Sequence, residues 1–200
     1  MTSSFTELQL DALRELANIA SGSAATALSR ILARDVGISL PRALALPLAD
    51  AVDACGSPEE TVACVVIGVD GDLSATVLLL IGLRHAGNLC TLLGVEPGTE
   101  IGDSALGEIG NIIGTSYLNG LATMTGLRLT PGPPQLSRDM LGAIVATLLA
   151  ETAGAEDLAL VLDSELDVSG EPCAISFLLL PTAGGISDLL APLGLAGDTP

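Results

Sequence analysis

The chain repeats one helical motif, and this internal duplication constrains its fold more than any other feature. The segment RELANIAS near the start of the sequence returns as GEIGNIIG 93 residues later, and the two copies align without a gap. Glu15 then corresponds to Glu108, and Asn18 corresponds to Asn111. A duplication of this kind predicts two similar halves that share one core.

Elements of the same type follow each copy of the motif in the same order. In the first half the pattern predicts a long helix over 7–32, an extended segment over 36–48, strands over 61–69 and 73–81 around the turn Asp70-Gly71, and a closing helix over 83–93. In the second half it predicts a helix over 101–125, an extended segment over 127–135, a helix over 138–152, strands over 158–168 and 171–180, and a short helix over 185–190.

These elements predict one α+β domain over residues 1–200 with internal pseudo-twofold symmetry. Its repeat halves cover about 7–96 and 100–195 and meet at the turn around Pro97. We expect a central antiparallel sheet built from both hairpins, with the two long helices exposed together on one side. Hydrophobic residues make up 49% of the chain, which is enough to bury a substantial core.

Each copy of the motif places an Asp or Ser, a Glu and an Asn along one stripe of a helix, with a Pro downstream. The members are Asp11, Glu15, Asn18 and Pro41 in the first half and Ser104, Glu108, Asn111 and Pro134 in the second. The three helical positions share a face because they are spaced i, i+4 and i+7. A single polar stripe of this kind is usually an inert, solvated surface. Two copies in register favour a functional surface, because solvation gives no reason to keep Glu and Asn while the neighbouring residues change.

Charge and composition exclude several classes of function. The chain has 24 acidic and 7 basic residues, so we expect neither a nucleic acid nor an acidic membrane surface as a partner. Its longest apolar run, over 75–83, is too short to span a bilayer. The four cysteines form no CxxC pair, and His85 has no second ligand at metal-binding spacing. We therefore expect buried reduced thiols, no metal site and a cytoplasmic location.

The two motifs resemble the signature of the CheC-type phosphatases of bacterial and archaeal chemotaxis, a family that also includes CheX and FliY. The segments ELANIASGSAATALSRIL and EIGNIIGTSYLNGLATMTGL are similar to the first and second helices of that family. Two intact motifs in a chain of this length resemble CheC most, because CheX has fewer motifs and FliY carries additional rotor-binding segments. The first motif departs from the family at Ala17 and Ser21, where the family more often has Gly.

The resemblance implies an aspartyl-phosphate phosphatase that acts on a phosphorylated CheY-like response regulator. In the family the regulator holds the Mg2+ ion, so no cofactor of the chain's own is expected. Asn18 and Asn111 would orient the attacking water, much as a Gln does in GTPases. Glu15 and Glu108 would pair with the active-site Lys of the regulator.

The remaining motif residues are expected to support this chemistry. Asp11 and Ser104 would make peripheral contacts or cap local backbone, whereas Pro41 and Pro134 would shape the entry to a strand. Two other functions remain open from the sequence. The chain could be a non-catalytic adaptor that binds a response regulator or the receptor deamidase CheD, or the two helices could be a purely structural duplicate.

Overall fold

The computed structural model describes residues 7–39, 42–151, 158–168, 171–182 and 185–191. The described part contains six helices and eight strands. In chain order these are α1 (Glu7–Leu32), β1 (Val36–Ile38), β2 (Arg42–Pro47), α2 (Leu48–Cys55), β3 (Thr61–Gly71), β4 (Ala75–Gly82), α3 (Leu83–Leu92), α4 (Glu100–Thr125), β5 (Leu129–Pro131), β6 (Gln135–Met140), α5 (Leu141–Glu151), β7 (Leu158–Val168), β8 (Glu171–Pro181) and α6 (Gly185–Leu190).

The offset of 93 residues seen in the sequence also holds for the elements. The helices α1 and α4 both have 26 residues, and α4 begins at Glu100, 93 positions after Glu7. The same offset separates the start of β1 from that of β5, the start of β2 from that of β6, and the start of α2 from that of α5. The two motif helices therefore start equivalent runs of structure.

All eight strands form one antiparallel sheet, as the sequence predicts. The order along the sheet is β1-β7-β8-β4-β3-β5, with β2 also paired to β7 and β6 also paired to β3. The short strands of each half thus pair with the hairpin of the other half. At the centre β4 pairs with β8, where Leu78 lies opposite Leu178. This arrangement gives the α+β fold its pseudo-twofold symmetry.

The long helices α1 and α4 pack against each other on one face of the sheet. They approach so closely that a Cβ built on Gly120 would lie 2.8 Å from the Cβ of Ala20. One turn away, the Ser21 hydroxyl lies 2.8 Å from the Tyr117 hydroxyl. From Ala20 to Ser21 on α1, the residue contacted on α4 moves back from Gly120 to Tyr117. The two helices therefore run antiparallel. On the other face of the sheet, α2 and α5 cover a second group of buried residues that includes Leu78 and Leu178.

Two predicted segments differ from the structure. No helix was predicted over 49–60, yet α2 occupies Leu48–Cys55 and buries Ala51 and Val52 against the sheet. The predicted helix over 138–152 begins only at Leu141, because residues 135–140 form β6 along the edge of β3. In both segments pairing or packing with distant residues decides the local structure.

The turn predicted at Asp70-Gly71 occurs a few residues later in the structure. Both residues extend β3 and pair with β5, and the hairpin turns over 72–74 instead. A carboxylate oxygen of Asp72 accepts a hydrogen bond of 2.9 Å from the backbone N–H of Arg128. This contact joins the turn to the segment that leads into β5, so the hairpin end is held by the second half of the chain.

Candidate functional site

The helix α4 is held against the sheet through two glycines of its motif. A Cβ built on Gly110 would lie 2.5 Å from Cγ2 of Val65, and one built on Gly114 would lie 2.7 Å from Cδ1 of Ile67. Only residues without a side chain allow this approach. Because this stripe faces the sheet, the stripe that contains Glu108 is turned towards solvent.

The second motif lies along the first three turns of α4. The helix begins after Thr99, whose hydroxyl oxygen accepts a hydrogen bond from the backbone N–H of Gly102. Ser104 and Glu108 are exposed, and Asn111 is half-buried. The Thr115 hydroxyl donates a long hydrogen bond of 3.4 Å to Oδ1 of Asn111. A shallow open depression beside this motif is lined by Glu100, Ile101, Ser104, Ala105 and Glu108.

The first motif has the same pattern of exposure on α1. Asp11 and Glu15 are exposed, and Asn18 is half-buried. The Arg14 side chain donates a hydrogen bond of 2.8 Å to Asp11. This exposed i,i+3 ion pair contributes little to stability, and it directs the Arg14 guanidinium towards Asp11. The second motif has Gly107 at the position of Arg14, so the two motifs differ in local charge.

The structure describes one of the two prolines of the motif. Pro134 is half-buried in the connection between β5 and β6, directly before β6 begins at Gln135. This location agrees with a role in shaping the entry to a strand. Pro41 lies outside the residues that the structure describes.

Each half brings its own Glu and Asn together, but the two pairs are kept apart. Ala20 and Gly120 mark where the antiparallel helices touch. Counting along both helices from this contact at about 1.5 Å per residue separates Asn18 from Asn111 by roughly 16 Å along the helix axes. The molecule therefore presents two separate copies of the motif, one towards each end of the helix pair.

An ion pair beside the second motif was not anticipated from the sequence. Arg138 on β6 donates to Asp103, which directly precedes Ser104, through Nε at 3.1 Å and through a second guanidinium nitrogen. The contact ties the first turn of α4 to the edge of the sheet. The duplication gives no signal for this pair, because the corresponding residues of the first half, Leu10 and Ala45, are uncharged.

The described residues hold neither a cluster of metal ligands nor a membrane-spanning helix. Across them, no group of three or more His, Cys, Asp or Glu side chains is arranged to hold a metal ion. Nor does the described part of the chain contain a helix of the length and apolarity needed to cross a membrane.

Two segments of the chain match a known protein family. The model of the CheC-like family matches residues 8–44 and 101–138, the two segments that carry the motifs. The chain is 33% identical over 168 residues to the CheY-P phosphatase CheC of Bacillus subtilis, and the alignment covers 80% of each chain. The chain belongs to the CheC-like family.

Solved structures share the fold of this CheC-like chain at lower identity. FliY of Thermotoga maritima superposes with a TM-score of 0.76 at 22% identity, covering 96% of this chain and 99% of that one. The CheX chain of a CheX-CheY-BeF3-Mg2+ complex from Borrelia burgdorferi matches with a TM-score of 0.50 at 16% identity, covering 84% and 96%. Both likenesses concern the fold.

The structure of this CheC-like chain accommodates the two departures in its first motif. The counterparts of Ala17 and Ser21 in the second motif are Gly110 and Gly114, which have no side chain. The structure nevertheless buries the side chains of Ala17 and Ser21. The Ser21 hydroxyl donates a hydrogen bond of 2.7 Å to the carbonyl oxygen of Ala17. Its oxygen also lies within hydrogen-bonding distance of the Tyr117 hydroxyl. The polar group that replaces a glycine is thus satisfied inside the helix interface.

Proposed function

We propose that this chain is a protein phosphatase that hydrolyses the aspartyl phosphate of a CheY-like response regulator. The observation that carries the proposal is the Glu-x-x-Asn pair that α1 and α4 each present on an accessible face, within the segments that match the CheC-like family. The Bacillus subtilis relative is a CheY-P phosphatase, and the Borrelia burgdorferi CheX occurs in a complex with CheY. Both support a CheY-like regulator as the partner.

The carboxamides of Asn18 and Asn111 would hold the attacking water in line with the phosphorus atom. A carboxamide both donates and accepts hydrogen bonds, so it can fix the orientation of a water molecule. Asn111 is half-buried and accepts a hydrogen bond from Thr115. This contact restrains the side chain on the helix surface, so less conformational entropy would be lost when the amide enters the active site of the regulator.

Glu15 and Glu108 would position the helix on the regulator, whereas the Asn of each motif would orient the attacking water. Each lies one turn before its Asn and is exposed, so it can reach a cationic side chain of the partner. A role as general base is less favourable, because the transition state of phosphoryl transfer is loose and gains little from early proton removal. Replacing either Glu by Ala should therefore weaken regulator binding as well as the rate.

The chain would act by completing an active site that the regulator already contains. We propose that the regulator holds the Mg2+ ion, which neutralises charge on the phosphoryl oxygens, and that this chain supplies only the helix face. Elemental analysis of the purified chain should then find no stoichiometric metal. Stoichiometric zinc in the purified chain would contradict this part of the proposal.

The proposal is tested with a panel of phosphorylated receiver domains in the presence of Mg2+, by following the release of phosphate. At least one receiver domain should lose phosphate faster with the chain than without it. The Asn18→Ala, Asn111→Ala double variant should not accelerate release, whereas Asn88→Ala, which removes an exposed Asn from α3, should behave like the unmodified chain. If a receiver binds but keeps its phosphate, the adaptor function replaces the phosphatase function. Binding of CheD alone would identify CheD as the partner of that adaptor.

A further inference from the structure

Two large apolar side chains lie exposed at equivalent positions of the two motif helices. Leu8 on α1 is 67% exposed and Ile101 on α4 is 69% exposed, and the two positions differ by the offset of 93. Among the large hydrophobic side chains that the structure describes, these two are the most exposed. A single exposed apolar residue needs no explanation. Two exposed apolar residues at equivalent positions of a duplicated polar motif indicate that both have the same function.

The exposed apolar residue belongs to the same helix face as the motif. On α4 it precedes Ser104 by three positions and Glu108 by seven, which is the spacing of one helix face. On α1, Leu8 stands in the same relation to Asp11 and Glu15. The positions five residues further along, Leu13 in the first half and Leu106 in the second, belong to the opposite side of the helix, and Leu106 is fully buried. Leu8 and Ile101 are therefore not part of the hydrophobic core.

On α4 the apolar side chain is continuous with the motif surface. Ile101 and Ala105 line the same shallow depression as Glu108. Ile101 and Asn111 are ten residues apart, which is about 15 Å along a helix. A protein interface of ordinary size buries about 800 Å² on each partner, so it is roughly 30 Å across. A regulator that reaches Asn111 would also cover Ile101.

The charges around the depression restrict which side chains of a partner can bind there. Glu100 and Glu108 line it with Ser104, while Arg138 is engaged by Asp103. An acidic segment of the partner would be repelled by the two carboxylates. The surface fits an apolar side chain that is flanked by neutral or basic groups.

We propose that Leu8 and Ile101 anchor the phosphorylated receiver domain, each by burying its side chain against an apolar side chain of that domain beside the Glu and Asn of its own motif. This inference rests on the proposed phosphatase function, because the receiver domain is the occupant it names. The anchors contribute equally to the bound ground state and the transition state, so they act on binding and leave the chemical step unchanged.

Each anchor is tested with the other site silenced. Ile101→Ser is combined with Asn18→Ala, and Leu8→Ser is combined with Asn111→Ala, so that one motif is measured at a time. The matched control is Leu83→Ser, which removes an apolar side chain of 42% exposure from the start of α3. Each anchor variant should raise KM for the phosphorylated receiver by about tenfold with kcat unchanged, whereas Leu83→Ser should change neither.

A binding measurement separates this inference from the proposed function. The Kd for a beryllofluoride-activated receiver domain is measured for the Leu8→Ser, Ile101→Ser double variant, because a motif that has lost only its Asn can still bind the receiver. The Kd should rise about tenfold for this double variant but not for Leu83→Ser. If the chain binds receivers without releasing phosphate, the phosphatase function fails, while the anchors are still supported by these Kd values. Equal Kd values for the Leu8→Ser, Ile101→Ser double variant and for Leu83→Ser would overturn the anchors even if the phosphatase activity is confirmed. Binding of no receiver domain would overturn the anchors as well.

Discussion

The hydroxyl groups of Ser21 and Tyr117 meet at 2.8 Å inside the interface between α1 and α4. The Ser21 hydroxyl also lies 2.7 Å from the carbonyl oxygen of Ala17, so it has polar partners on both helices. The equivalent positions of the other half are Gly114 and Ala24, which have no hydroxyl group. The pseudo-twofold symmetry of the fold is thus broken at the contact between the two motif helices.

The first prediction concerns this buried hydrogen bond. Tyr117→Phe and Ser21→Ala should each lower the free energy of unfolding by about 1 kcal/mol, because each removes one partner of a buried contact. The double variant should lose less than the sum of the two single losses, since both single variants break the same bond. Urea denaturation of the four proteins measures these differences. Strict additivity would show that the two hydroxyl groups do not interact.

The second prediction concerns how closely α4 approaches the sheet. Gly110→Ala should lower the free energy of unfolding by about 1–3 kcal/mol, because the new Cβ would meet the branched side chain of Val65 at 2.5 Å. Gly107→Ala is the control on the same helix, since a Cβ there meets nothing within 4 Å. It should raise stability by about 0.5–1 kcal/mol, because Ala favours a helix. Thermal or urea unfolding should therefore give opposite signs for the two variants, and equal signs would contradict the packing described.

The motif face was predictable from the sequence because it depends on local spacing and on the duplication. Positions three or four residues apart fall on one face of any helix, so the clustering of Glu108 with Asn111 needed no tertiary information. The ion pair between Asp103 and Arg138 joins residues 35 positions apart, and it depends on β6 lying beside α4. No local pattern indicates that placement, and β6 itself exists because it pairs with β3.

The third prediction concerns the buried thiols. Burial raises the pKa of Cys64 and of Cys173 to about 12, because the thiolate is poorly solvated inside the protein. The thiolate is the reactive form, so both residues should resist alkylation in the native protein at pH 8. Mass spectrometry after treatment with iodoacetamide should find both unmodified in the native protein and modified in urea. Rapid native modification of Cys64 would show that β3 opens readily.

The fourth prediction concerns the end of the first hairpin. The pKa of Asp72 lies below its ordinary value, chiefly because its carboxylate accepts hydrogen bonds from the side chain and backbone of Arg128. The carboxylate therefore contributes stability at pH values above its ordinary pKa of 3.8, and this contribution is lost as the pH falls through the lowered value. Asp72→Asn should make stability less dependent on pH below 4. An unchanged acid limb in the pH profile of unfolding would contradict this contribution.

The last prediction is that both motifs act, and that each acts alone. Glu15 and Asn18 lie on α1 and Glu108 and Asn111 lie on α4, with roughly 16 Å between the two Asn along the antiparallel pair. Neither copy needs a residue of the other, so Asn18→Ala and Asn111→Ala should each retain part of the phosphatase activity. The double variant should lose roughly 100-fold in kcat, because no side chain is left to orient the water.

The single variants also discriminate between two working sites and one. Because Asn18 and Asn111 lie on the helix surface, their replacement should change stability little, and phosphate release reports the chemistry directly. Asn88→Ala on α3 controls for the loss of a surface amide. The two motifs differ in Arg14 and in the Arg138 ion pair, so their turnover rates need not be equal. Complete loss of activity in Asn111→Ala, with full activity in Asn18→Ala, would show that α1 carries an inactive copy.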